Sequence, residues 1–272
     1  MNCNYKWYTH IIALLFIISA QAVGAYPYTK FEHLGYILSL LPCVTGFCAL
    51  WLSMRYIHND SFLKLITPNS KIDFKKVLFG AICWFILTTT YTVTTAFLHP
   101  EQTFTWNFSL PHFIKILVIG ITLLPIQTTF EELLFRGYIF QGITRYIGNK
   151  WTAMFITAFI FAGMHLFNPE IITFGFWTML IQYLAMSLIF GVIACKENST
   201  EITIGMHYAN NFFCMVCVVY QGTVFYHEGA LFRVEQPTND YKDTIAMVIA
   251  GILMFGSYYW KYIYKHKTDQ IS

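Results

Sequence analysis

The sequence predicts an all-α membrane protein with about eight transmembrane helices, and three observations carry that prediction. Charged residues make up 11% of the 272-residue chain and hydrophobic residues 56%, whereas a soluble domain carries about 25% charged residues; mean hydropathy is +0.51. Apolar runs long enough to cross the bilayer recur from one end of the chain to the other. Lys and Arg gather in alternate connections between those runs, as cytoplasmic loops require.

The first run, His10 to Ala25, follows the single Lys6 and reads as a retained helix. Its tail, Ala20-Gln21-Ala22-Val23-Gly24-Ala25, also resembles the end of a cleaved secretory signal, which would leave seven spans with the same orientation downstream. Leu34 to Met54 is the second run; the basic connection Arg55 to Lys76 behind it suits the face of an anionic leaflet. Val77 to Leu98 is the third. The fourth, Phe113 to Phe140, contains Pro125, which removes a ladder hydrogen bond and predicts a kink or a loosened turn. Trp151 to Phe167, Ile172 to Cys195, Glu201 to Tyr220 and Thr244 to Tyr262 complete the set. No connection is long enough for a second domain, so residues 1–272 read as one polytopic unit without internal repeat.

An even number of spans with both termini in the cytoplasm puts twelve basic residues on that side: Lys6, Arg55, Lys64, Lys71, Lys75, Lys76, Arg145, Lys150, Lys196, Lys261, Lys265 and Lys267. Only Lys30, Arg233 and Lys242, three residues, fall in the opposite loops. The asymmetry supports both the count and the direction. It also accounts for the net charge of +3 without any nucleic-acid partner. The seven cysteines fall mostly within spans, and Cys214-Met-Val-Cys217, a lone C-x-x-C in an apolar helix, reads as buried small hydrophobes. Asn107-Phe-Ser109 matches a glycan acceptor facing outward.

The chemistry concentrates in Thr129-Phe-Glu-Glu-Leu-Leu-Phe-Arg-Gly137. A charge at a helix centre costs about 2.5–3.5 kcal/mol on insertion scales, so Glu131, Glu132 and Arg136 together need a partner network or a task. Glu132 and Arg136 are four apart and share a helix face, whereas Glu131 is turned about 100° away. One carboxylate is thereby neutralised and the other left available. Two later spans add polar groups: His165, four after Phe161, with Asn168-Pro169 just beyond, and His207 with Asn211, four apart on one face. Singly, each could be helix–helix glue. Together they supply a base and hydrogen-bond donors for a developing oxyanion, the requirement for hydrolysing an amide without a Ser or Cys nucleophile.

The ordered set E-E-x-x-x-R, F-x-x-x-H and H-x-x-x-N, each in its own span, resembles the CPBP family, named for CAAX proteases and bacteriocin-processing enzymes and also called the Abi family. The likeness covers residues 113–220, and Phe135-Arg136-Gly137 extends it. It implies an eight-helix intramembrane endopeptidase similar to the Ras-converting CAAX protease. On that likeness Glu131 activates water with help from His165, and His207 and Asn211 stabilise the oxyanion. Glu132 and Arg136 organise the site, and Phe161 packs it.

The family's metalloprotease label leaves the cofactor open between none and Zn²⁺. Glu131, His165 and His207 are the candidate ligands. The implied substrate is a hydrophobic or lipidated peptide entering from the lipid bilayer, and the family's spread makes a bacterial plasma membrane the expected host. Two other readings stay open: a transporter or proton-relay protein whose polar groups line a path, and a catalytically idle immunity or scaffold member of the family.

Overall fold

A computed structural model describes residues 5–30, 38–98, 104–235 and 241–264. The chain begins with α1 (Trp7–Lys30), α2 (Leu41–Ile57) and α3 (Phe74–Leu98). A short strand β1 (Phe104–Trp106) precedes the long segment α4 (Leu110–Ile147). Then come α5 (Lys150–Met164, tightened to a 3₁₀ turn over His165–Phe167), the five-residue α6 (Glu170–Phe174) and α7 (Phe176–Glu197). Helix α8 (Glu201–Phe212) runs on as π-helix through Phe213–Cys217, and β2 (Val218–Tyr220), β3 (Phe232–Val234) and α9 (Tyr241–Tyr258) follow.

Six of these segments are long and apolar enough to cross a membrane: Trp7–Pro27, Phe74–Phe97, Leu110–Ile147, Lys150–Phe167, Phe176–Glu197 and Tyr241–Tyr264. The remaining two predicted spans, α2 and α8, form shorter helices, which agrees broadly with the expected eight. Three boundaries are corrected. Leu34 to Met54 becomes Leu41–Ile57, its first four residues lying outside the described ones. Ile172 to Cys195 is divided at Gly175, whose φ of +92° suits glycine and ends α6. Glu201 to Tyr220 stops being helical at Cys217 and finishes as β2, because Val218 turns to extended backbone.

Large apolar side chains point outward along these helices: Ile11 and Leu15 on α1, Leu78 and Ile86 on α3, Phe155 and Phe159 on α5, and Ile249 and Ile252 on α9. Glu132, Arg136, Thr157, Ser187, His207 and Asn211 turn inward instead, the arrangement expected when the solvent is lipid. Small residues let backbones approach. A methyl group on Gly205 of α8 would run into the Val77 carbonyl of α3, and one on Gly80 into the Ile202 carbonyl, so the two helices touch main chain to main chain.

The connections segregate to two ends as the alternation requires. At one end Lys76 pairs with Glu197, Thr200 N donates to the Ile66 carbonyl at 2.8 Å, Lys150 reaches the Cys195 carbonyl at 3.3 Å and Arg145 lies 3.7 Å over the Tyr5 ring. At the other, β1, β3 and β2 form a three-stranded sheet in that order, with β3 antiparallel to β1 and parallel to β2. The sheet has no counterpart among the sequence expectations, since three-residue strands are too short to show a period.

Candidate active site

Helix α4 sets the site by changing its winding. An α-helical stretch ends at Thr122, Leu123 forms a turn, and a new one starts over Leu124–Glu132 with Pro125 in its first turn, where a missing N–H costs nothing. The predicted loosening at Pro125 is therefore a restart of the helix. Residues Leu133–Ile139 then run as π-helix, a form that appears often at functional sites, before the α-helix resumes over Phe140–Ile147. Gly148, with φ of +74°, stops the segment, and the Asn149 side chain caps α5 by accepting from the N–H groups of Trp151 and Thr152.

Glu132 is fully buried, and its Oε1 accepts from Arg136 at 2.9 Å and lies 2.8 Å from His207 Nδ1. The predicted Glu132–Arg136 pair is thus present despite the π-helical turn between the two residues. Arg136 also donates to Ser187 Oγ on α7 at 3.0 Å, with its guanidinium 4.5 Å over the Phe161 ring and 5.6 Å over that of Phe190. Phe161 accordingly does more than fill space. Its ring also packs 4.3 Å from His165 and edge-on to Phe135 at 5.1 Å.

Glu131 turns the other way, into a cavity of about 600 Å³. His165, His207 and Asn211 line the same cavity, so all four expected catalytic residues meet in one space. His207 Nε2 lies 3.6 Å from Glu131 Oε2, longer than a hydrogen bond, and that buried oxygen has no hydrogen-bond partner among the described residues. His165 Nδ1 is 2.8 Å from the Phe161 carbonyl, which can only accept. Nδ1 therefore carries a proton, and whenever the ring holds only that proton the Nε2 lone pair is left for the cavity. By the same logic His207 holds a proton on Nδ1 toward Glu132.

Several polar residues of this cavity carried no sequence signal strong enough to single them out. Gln127 bridges Glu131 and Asn211, donating to the carboxylate from Nε2 and accepting from Asn211 Nδ2 at 3.2 Å. Its place four residues before Glu131, on the same helix face, was the available clue. Tyr183 packs at a tilt, its ring 4.9 Å from that of His165, and takes a bond from Asn168. Glu170, on α6 just outside the spans, accepts from Val224 N at 2.9 Å, and burial raises its carboxyl pKa. The rest of the lining is largely apolar, with Leu40, Leu87, Met179, Met186 and Met247 among it.

Among the described residues no three His, Cys, Asp or Glu side chains gather closely enough to hold a metal ion. Glu131, His165 and His207 share the cavity without converging as a ligand set, so no chemical step is routed through an ion. Cys214 and Cys217 are free thiols. The Asn107 amide nitrogen is buried, which closes it to glycan transfer in the folded protein.

A family model described as "Type II CAAX prenyl endopeptidase Rce1-like" matches residues 111–213, the stretch from the start of α4 to the end of α8 that carries the whole site. The uncharacterized protein YyaK of Bacillus subtilis (strain 168) is 32% identical over 210 residues, covering 76% of this chain and 70% of that protein. No solved structure matches the chain.

Proposed function

Because this chain belongs to the Rce1-like type II CAAX prenyl endopeptidase family, we propose that it cleaves a peptide bond in a hydrophobic or lipid-linked peptide, using a water activated by Glu131 and His165. One observation carries the mechanism. A carboxylate oxygen, Glu131 Oε2, has no hydrogen-bond partner among the described residues, in a largely apolar cavity that two imidazoles and an amide also line.

In this mechanism Oε2 removes a proton from water while the His165 Nε2 lone pair orients the other O–H. The hydroxide oxygen bonds to the substrate carbonyl carbon, and the C=O π pair moves to oxygen. That oxyanion accepts hydrogen bonds from Asn211 Nδ2 and from a protonated His207. On collapse the carbonyl re-forms, the C–N bond breaks, and the proton held by Glu131 passes to the departing amine. The products are one carboxylic acid, which keeps the second proton of the water, and one amine, with Glu131 returned to its starting state.

Glu132 supports this by position. Its bonds to Arg136 and His207 hold the His207 ring, while Ser187, Phe161 and Phe190 hold Arg136. Unbranched Met179, Met186 and Met247 give the cavity an adaptable apolar wall, suited to varied hydrophobic chains. The distribution of Lys and Arg supports a multi-pass protein with both termini in the cytoplasm, and the family's spread suggests a bacterial plasma membrane as its host.

The test is cleavage of a quenched library of hydrophobic and prenylated peptides by the purified full-length protein in detergent, with and without chelator. Cleavage by the wild type and none by Glu131→Ala is the expected result. Cleavage that survives Glu131→Ala refutes the mechanism, and loss on chelation, restored by Zn²⁺, refutes its metal-free form.

A further inference from the structure

We infer that Gln127 is a positioning residue that aligns the Glu131 base with the Asn211 donor and decides which carboxylate oxygen takes the proton from water. The inference rests on the endopeptidase reading above, and it adds a residue that neither the three motifs nor the charged cluster contains.

The observation behind it is a directional chain of four hydrogen bonds. Trp84 Nε1 on α3 donates to Asn210 Oδ1 at 3.2 Å, and Asn210 Nδ2 donates to Asn211 Oδ1 at 3.1 Å. Asn211 Nδ2 donates to Gln127 Oε1 at 3.2 Å, and Gln127 Nε2 donates to Glu131 Oε1. An indole N–H can only donate and an ionised carboxylate can only accept, so both ends of the chain have a fixed sense. No amide between them can flip without losing the bonds on both of its sides. All four bonds point toward the carboxylate, and each polarises the next.

Two consequences follow at the atomic level. Gln127 occupies Oε1 of Glu131, which leaves Oε2, the oxygen without a partner, as the one that receives the proton. Gln127 also holds Asn211 from one side while Asn210 holds it from the other, and the second Nδ2 hydrogen of Asn211 is left for the substrate oxygen. Base and donor sit on α4 and α8, so a single side chain sets the distance between the two halves of the reaction.

The experiment uses the full-length protein in detergent and two variants of nearly unchanged shape. Gln127→Met removes donor and acceptor, and Gln127→Glu keeps an acceptor for Asn211 but no longer donates an amide hydrogen to Glu131. On a peptide cut by the wild type, Gln127→Met should lower kcat by about tenfold or more with little change in KM. Gln127→Glu should lower kcat in the same way, because it too lacks the amide donor to Glu131.

An infrared difference spectrum reads the same bond without substrate. At a single alkaline pH the Glu131 carboxylate stretching band, isolated by subtracting the Glu131→Gln spectrum, should shift in both Gln127 variants because the amide donor is gone. An unshifted band in whichever variant folds, or a loss confined to KM, overturns the inference. Cleavage that survives Glu131→Ala strikes the endopeptidase reading instead, and the infrared result still decides whether Gln127 holds Glu131.

Discussion

Replacing Arg136 by Met tests the buried network that holds the site together. The Arg136 and Glu132 side chains are 3% and 0% exposed, so neither charge is relieved by water. Arg136→Met keeps most of the aliphatic stem but removes the bond to Glu132, the bond to Ser187 and the stacking over Phe161 and Phe190. Removing one partner of a buried pair costs about 3–5 kcal/mol, chiefly because the remaining charge stays buried. A desolvated cation over an aromatic ring adds up to about 2 kcal/mol. His207 still faces Glu132 and offsets part of this, so the expected loss is about 3–5 kcal/mol. Equilibrium unfolding in mixed micelles with rising SDS, followed by circular dichroism, measures it. The double variant Glu132→Gln/Arg136→Met, with both charges gone, should recover at least half of the loss. A loss below about 1 kcal/mol for Arg136→Met, or a double variant as unstable as the single, would refute the reasoning.

Asn211→Ala should lower kcat by about 10²–10³, the usual cost of losing one oxyanion donor, measured by steady-state cleavage. Gly205→Ala should prevent native packing of α8 on α3, because its methyl would meet the Val77 carbonyl; loss of the monodisperse peak on size exclusion in detergent reads this out. Glu170 gives a pH prediction with a defined sign. Burial raises its pKa above the ordinary 4.5, so the folded protein binds its proton more tightly than the unfolded chain. Stability should therefore fall as pH rises from about 4.5 through the folded-state pKa, then level off. Glu170→Gln, which keeps an acceptor for Val224 N, should remove that decline, so the variant gains on the wild type as pH rises in SDS unfolding series.

The sequence made the membrane helices and the four cavity residues legible for the same reason. In an apolar chain of this kind, a charge, an imidazole or a carboxamide stands out against its neighbours, and spacing of four places Glu132 with Arg136 and His207 with Asn211. The structure pairs Glu132 with Arg136 as expected, and adds that His207 joins the same oxygen. Gln127, Trp84 and Asn210 escaped notice because uncharged side chains cost little in a span, and their roles depend on which helices pack together. The sheet at one end escaped for lack of length. The break at Gly175 depends on one backbone angle, and an apolar run such as Ile172 to Cys195 hides it.

The central claim is that Glu131 and His165 activate water for peptide hydrolysis inside the cavity. The most direct measurement is the single-turnover cleavage rate of one peptide by wild type, Glu131→Ala and His165→Ala, each shown by SDS unfolding to be as stable as the wild type. Cleavage by the wild type and loss of at least about 10²-fold in both variants is the result this account predicts. Cleavage undiminished in both variants would contradict it.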